Sequence, residues 1–202
     1  MPTATPDTPD VARTTNKRER ILRSAVEVFA RTGYFNAKVS EIAREAGVAD
    51  GTIYLYFQGK EELLLTIFRE NTRGYLSELR DELASLERAA DRIRLAIRFQ
   101  LEKLGSDRAM AVVFQVELRQ SLKFMSRLSH EEVADYLNLL RTIVEQGQKE
   151  SIFRSEIHPQ LAAKAIFGIL DEMVTSWILS EKEYRLEDQA DQIADFVLHG
   201  LQ

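Results

Sequence analysis

Residues Val39–Lys60 read VSEIAREAGVADGTIYLYFQGK, two short apolar stripes divided by a glycine. Val39, Ile42, Ala43 and Ala46 recur at helical spacing and make one apolar stripe about two turns long. Gly47 follows where a helix end takes a left-handed residue, which predicts a sharp turn. Val48 re-enters the core, and Ile53 and Phe57, four residues apart, predict a second short helix with Thr52, Tyr54 and Tyr56 between its anchors. Helix, Gly-containing turn, helix is the form that lays a recognition helix in the major groove of DNA. The same form occurs in all-helical proteins that never touch DNA, so the hairpin alone leaves both readings open.

The distribution of charge favours the first. The chain of 202 residues carries a net charge of −5, which looks wrong for a DNA binder. From Arg13 to Lys60, however, nine Lys/Arg face five Asp/Glu, whereas residues 61 to 202 hold 18 basic and 25 acidic residues. Phosphate contacts need local positive charge, not a basic whole. The rest of the composition excludes several classes. There is no cysteine, so neither disulfides nor thiolate metal sites form, and His130, His158 and His199 share no metal-ligand spacing. No apolar run suits a membrane span and no signal peptide is visible, which predicts a cytoplasmic protein without a membrane partner.

Residues 1–14 are rich in Thr, Pro and Asp and are expected to form a disordered arm. Asn16 with Glu19 resembles a capping pair at the start of a first helix, whose buried face is Ile21, Leu22, Ala25, Val28 and Phe29 and which Gly33 closes. A long helix is expected from Glu61 to about Leu86, then helices near Ala89–Leu104 and Arg108–Leu118, with Asp107 as a cap. Further helices are expected at His130–Lys149, Pro159–Leu179 and Leu186–Leu201, and no strand signal is present. The expected fold is all-α. A three-helix DNA-binding domain over residues 15–60 is joined by a continuous helix to a ligand-binding and dimerisation domain over residues 61–202.

Ile42-Ala43, Ala46-Gly47-Val48, Gly51-Thr52-Ile53-Tyr54, Phe57, Lys60 and Leu63, with FARTGY just before them, resemble the TetR family of bacterial repressors. The resemblance implies that Gly51, Thr52, Tyr54, Tyr56 and Lys60 carry most of the DNA contact. Gly51 would allow close backbone approach, and the hydroxyls and Lys60 would meet phosphates, which position without specifying. Lys17 and Arg18 either lie along phosphates or are simply solvated. Base readout would fall to Ser40, Asp50, Leu55 and Tyr56. The chain departs from the family pattern at Lys38 and at Ala49-Asp50, which replace the usual Ser-plus-polar pair at the start of the recognition helix. Lys38 stands where Ser or Thr commonly caps the second helix; it cannot accept the orphan N–H bonds and could instead reach a phosphate. Asp50 suits a helix start but repels phosphate; facing the groove it would accept from a cytosine amino group.

In the body, the helix from Pro159 to Leu179 is apolar on nearly every side, and a helix of that kind must be covered all round. A two-fold homodimer, in which this helix and the last one pack against their copies, would cover it. Two heads would then meet a palindromic site on double-stranded DNA. Two phrases, FQVELRQS from Phe114 and FGILDEMVTSW from Phe167, place charges in apolar helices, where they are costly unless paired. Either Arg119 pairs with Asp171 or Glu172 and fixes helix register, or these groups gate a cavity lined by Phe99, Phe114, Phe167, Met173 and Trp177. Spacing leaves both open.

Both phrases resemble segments of the TetR-type fatty-acid-degradation repressors, and the likeness runs over most of the chain after residue 15. The resemblance implies release of DNA when long-chain acyl-CoA binds, with the chain in the apolar interior and Arg98 and Arg119 at its mouth. It names no cofactor besides this effector. A repressor answering another apolar or drug-like ligand shares every feature except the two body phrases. An enzyme would need a triad, a carboxylate pair or a Gly-rich phosphate loop, none of which is recognisable. A sequence-neutral architectural protein would need a more basic surface.

Overall fold

In the computed structural model, which describes residues 9–117 and 132–202, α1 spans Pro9–Thr32. Residues 9–14, expected in the disordered arm, are helical, and Asn16 and Glu19 lie inside α1 instead of capping it. Next come α2 (Val39–Ala46) and α3 (Asp50–Tyr54). Then α4 (Lys60–Ala84) and α5 (Ala89–Gly105) follow, with α6 (Arg108–Val112) running into a π-helical turn at Val113–Glu117. Beyond the undescribed stretch are α7 (Glu132–Lys149), α8 (Pro159–Leu179), a 3-10 turn at Leu186–Gln189 and α9 (Ala190–Leu201). Among the described residues there is no strand. The fold is all-α, as the sequence predicts.

Two elements differ from expectation. The second reading helix stops at Tyr54, and Phe57 lies beyond it in a tight turn where the Tyr56 and Phe57 N–H groups both donate to the Ile53 carbonyl. The expected helix from Arg108 changes to π geometry at Val113, a form frequent where a helix serves a site. Its expected end at Leu118 lies outside the described residues.

The chain divides into two compact units, Met1–Ile67 and Phe68–Gln202. The division falls later than Lys60 because Leu63, Leu64 and Ile67 of α4 are fully buried with the N-terminal core of Ile21, Phe29, Ile42 and Ile53. In the second unit α5 is central, packing against α7, α8 and α9, while α7 and α8 form the most extensive pair. Ile93, Ile97 and Leu101 of α5, Leu140 and Val144 of α7, and Ile166, Leu170 and Val174 of α8 fill that core. Asp107 caps α6 as expected, its carboxylate accepting from the Met110 N–H at 3.0 Å.

The last two long helices carry large apolar side chains that the body leaves uncovered. On α8 the buried stripe is Ala162, Ala163, Ile166, Leu170, Val174 and Trp177. Leu161 and Leu179 of the same helix are 64% and 73% exposed, and Phe196 of α9 is 71% exposed.

Candidate functional site

Two sets of residues emerge, one in each unit. In the first, α2 and α3 are held by backbone chemistry more than by side-chain caps. Gly47 ends α2 with φ 64°, and the Val48 N–H returns to the Ala43 carbonyl at 3.0 Å. That left-handed step is costly for any residue with a Cβ. Arg20 of α1 donates to the Ala46 carbonyl at 2.6 Å and so covers the same helix end. At the other end, Lys38 gives no side-chain cap; instead the Glu41 carboxylate accepts the Lys38 N–H at 3.2 Å. The Lys38 side chain stays exposed.

The short helix α3 presents its polar and aromatic residues outward. Asp50 and Gly51 are exposed in the first turn, Tyr54 is 58% and Leu55 82% exposed, and Thr52 and Tyr56 are half-buried. Ser40 is exposed on α2, and Lys17 is half-buried on α1. A Cβ added to Gly51 would meet nothing within 4 Å, so packing within the chain does not require glycine there. Phe57 anchors the helix from below, with the Arg18 guanidinium 5.5 Å above its ring.

Lys60 has a different position from the one its place in the motif suggests. Its ammonium donates to the carbonyls of Tyr34, Phe35 and Ala37 at 2.8, 2.8 and 3.2 Å, and stands over the Tyr34 ring. An ammonium has three donors, and all three are occupied by the turn between α1 and α2. Burial, and then the charge of Glu61, raises the Tyr34 phenol above its ordinary value, so that ring stays neutral.

In the second unit the described interior is aromatic. Tyr75 of α4 packs 5.2 Å from Phe99 and 5.7 Å from Tyr136, and Tyr136 meets Phe167 edge-on at 6.1 Å. Phe114 on the π-helical turn lies 5.1 Å from Phe68. Of the three phenylalanines expected together from the sequence, Phe99 and Phe167 belong to one apolar core that Tyr75 and Tyr136 help to fill, whereas Phe114 meets Phe68 outside that cluster. Sequence reasoning missed the two tyrosines because their spacing reads as ordinary core. It also missed Gln100, which is buried and accepts a hydrogen bond from the Tyr136 hydroxyl at 2.5 Å. An amide inside the apolar run of α5 was the available signal.

The remaining candidates scatter. Arg98 points outward and pairs with Asp191 of α9 at 2.5 Å. Asp171 and Met173 are half-buried on α8. Trp177 donates its indole N–H to the Tyr184 carbonyl at 3.0 Å under the Arg108 guanidinium, which ties down the chain after α8. Arg119 lies outside the described residues. A shallow cavity of about 180 Å³, between Arg80, Leu83 and Arg92 on one side and Leu139 and Ile143 on the other, includes none of these groups. Among the described residues no three His, Cys, Asp or Glu side chains group to hold a metal, and no helix is long and apolar enough to cross a membrane.

Comparison with known proteins follows the same division. Residues 21–67 match the family of bacterial regulatory proteins of the tetR type, and residues 68–200 match the C-terminal region of YsiA-like proteins. The fatty acid metabolism regulator protein of Bacillus subtilis is 34% identical over 185 residues, covering 92% of this chain and 95% of that one. A crystal structure of the regulator FadR from Bacillus subtilis in complex with stearoyl-CoA superposes with a TM-score of 0.86 at 33% identity, over 92% of this chain and all of that one. The fatty acid degradation regulator FadR of Bacillus halodurans gives 0.84 at 35%, with the same coverage. The chain belongs to the TetR family: it is a helix-turn-helix, DNA-binding transcriptional regulator and not an enzyme.

Proposed function

We propose that this protein represses fatty-acid-degradation genes as a homodimer on a palindromic operator and releases DNA when long-chain acyl-CoA binds its body. The observation that carries the reading is the full-length likeness to a regulator crystallised with stearoyl-CoA, coupled with an aromatic interior in the corresponding unit. An apolar interior with few polar groups suits an acyl chain. Exposed Leu161, Leu179 and Phe196 support the dimer, because large apolar side chains left in water on α8 and α9 are covered in an isologous pair. Two heads then read half-sites about 34 Å apart.

Release follows from linkage. Acyl-CoA binds the DNA-incompetent state of the dimer more tightly than the competent one, and the difference in affinity sets the shift. A differential of about 5.5 kcal/mol takes the population from 1:99 to 99:1. Helix α4 starts in one unit and ends in the other, which makes it the natural carrier. On the DNA side, Lys17, Lys38, Thr52, Tyr54 and Tyr56 meet phosphates at the exposed end of the first unit. Ser40, Asp50 and Leu55 face bases across Gly51.

The test is a mobility-shift titration on a duplex selected from a random pool. Oleoyl-CoA or lauroyl-CoA abolishes the shift and free CoA does not. An unchanged shift at saturating acyl-CoA removes this ligand class and leaves a repressor of another apolar ligand.

A further inference from the structure

The exposed side of α8 carries charges that complement one another only between two copies. Ile166, Leu170 and Val174 face the core of the body. On the opposite side Leu161 and Leu179 are exposed, five turns apart along one line of the helix. Gly168 is exposed between them. A Cβ there would meet nothing within 4 Å, so packing within the chain does not call for a residue that weakens a helix interior. Lys164 stands one turn before the glycine and Glu172 one turn after it, and both are exposed. Among the described residues Lys164 forms no ion pair, and Glu172 meets no cation but accepts from the Ser176 hydroxyl at 2.8 Å. Eight positions of helix, about 12 Å of rise, keep the two charges from meeting on their own chain.

Lys164, Gly168 and Glu172 form one row of positions four apart, and such rows lie parallel when two helices cross at about −50°. A second copy of the row, reversed by a two-fold axis at Gly168, sets each lysine against a glutamate and glycine against glycine. A parallel pairing would set lysine against lysine, which is repulsive. We propose that α8 crosses its own copy antiparallel at Gly168, with Lys164 of each chain paired to Glu172 of the other. This rests on the homodimer of the reading above and fixes where its two-fold axis runs. A row whose charges match themselves only after that rotation fits a second copy of this chain and not an unrelated partner. The glycines let the two backbones approach closely where side chains would hold them apart.

The test measures dissociation of the full-length dimer by sedimentation equilibrium. K164E and E172K each put like charges at both copies of the contact and weaken the dimer roughly tenfold or more. The double variant K164E/E172K exchanges the signs and returns to within about threefold of the wild type. Such rescue cannot arise within one chain, where the two positions are too far apart. G168L keeps the helical content of the wild type by circular dichroism and weakens the dimer about a hundredfold or more, because its side chain obstructs the crossing and not the core. A wild type that sediments as a monomer at every concentration overturns the homodimer and the crossing together. A dimer that K164E, E172K and G168L leave unchanged, or a double variant no tighter than the single ones, overturns the crossing and leaves the homodimer standing.

Discussion

The ammonium of Lys60 donates to the carbonyl of Tyr34 at 2.8 Å and stands 4.8 Å from the centre of the same residue's ring. With Phe35 and Ala37 also bound, the first residue of α4 clamps the turn that delivers the chain to α2. Lys60 therefore positions the reading helices, and its charge is already satisfied by three carbonyls.

This distinguishes two roles by salt dependence. Lys60→Met is expected to weaken operator binding roughly tenfold through loss of the clamp. The slope of log affinity against log salt stays unchanged. A direct phosphate contact would instead flatten that slope by about 0.9. Titration of both proteins at four salt concentrations decides.

Gly51 stands in open space at the exposed start of α3. Gly51→Ala is expected to raise stability by roughly 0.5–1 kcal/mol, the ordinary gain of alanine over glycine in a helix. Operator affinity falls at the same time by about tenfold or more, because the added methyl holds the backbone off the duplex. Melting curves and binding curves on one preparation test both halves; unchanged affinity would show that DNA does not approach there.

Gly147 is the opposite case. A Cβ there would lie 2.0 Å from the Phe153 ring, whose backbone N–H also returns to the Gly147 carbonyl at 3.1 Å. Gly147→Ala should cost about 1–3 kcal/mol through overpacking and lower the melting temperature of the body. A variant as stable as the wild type would show that Phe153 moves aside freely.

Phe196→Glu and Leu161→Glu replace exposed apolar side chains by charges without touching the core of one chain. Each is expected to yield a monomer by light scattering, with unfolding free energy of the single chain within about 0.5 kcal/mol of the wild type. A dimer that survives both substitutions places the interface elsewhere.

Alkaline pH supplies the last check. Burial raises the phenols of Tyr75 and Tyr136 above the ordinary value near 10. The native state therefore keeps protons that the unfolded chain loses above that pH. Stability is fully present below about pH 10 and falls as pH rises past it. Melting curves from pH 8 to 11 should fall less steeply for Y75F than for the wild type. Parallel curves would show that Tyr75 ionises without unfolding.

The helices were legible in the sequence because the signals for them are local. Gly47 after Ala46, Asp107 before Arg108 and Pro159 after His158 each set a helix end through backbone geometry or an adjacent hydrogen bond, and the structure places ends at all three. The reading hairpin was legible for the same reason. What the tertiary structure alone decided is which polar groups meet. Lys60 and Tyr34 are 26 positions apart, Tyr136 and Gln100 are 36, and Arg98 and Asp191 are 93. No spacing rule reaches across such separations, because those partners are chosen by the packing of helix faces, and only packing shows that Phe196 is left uncovered.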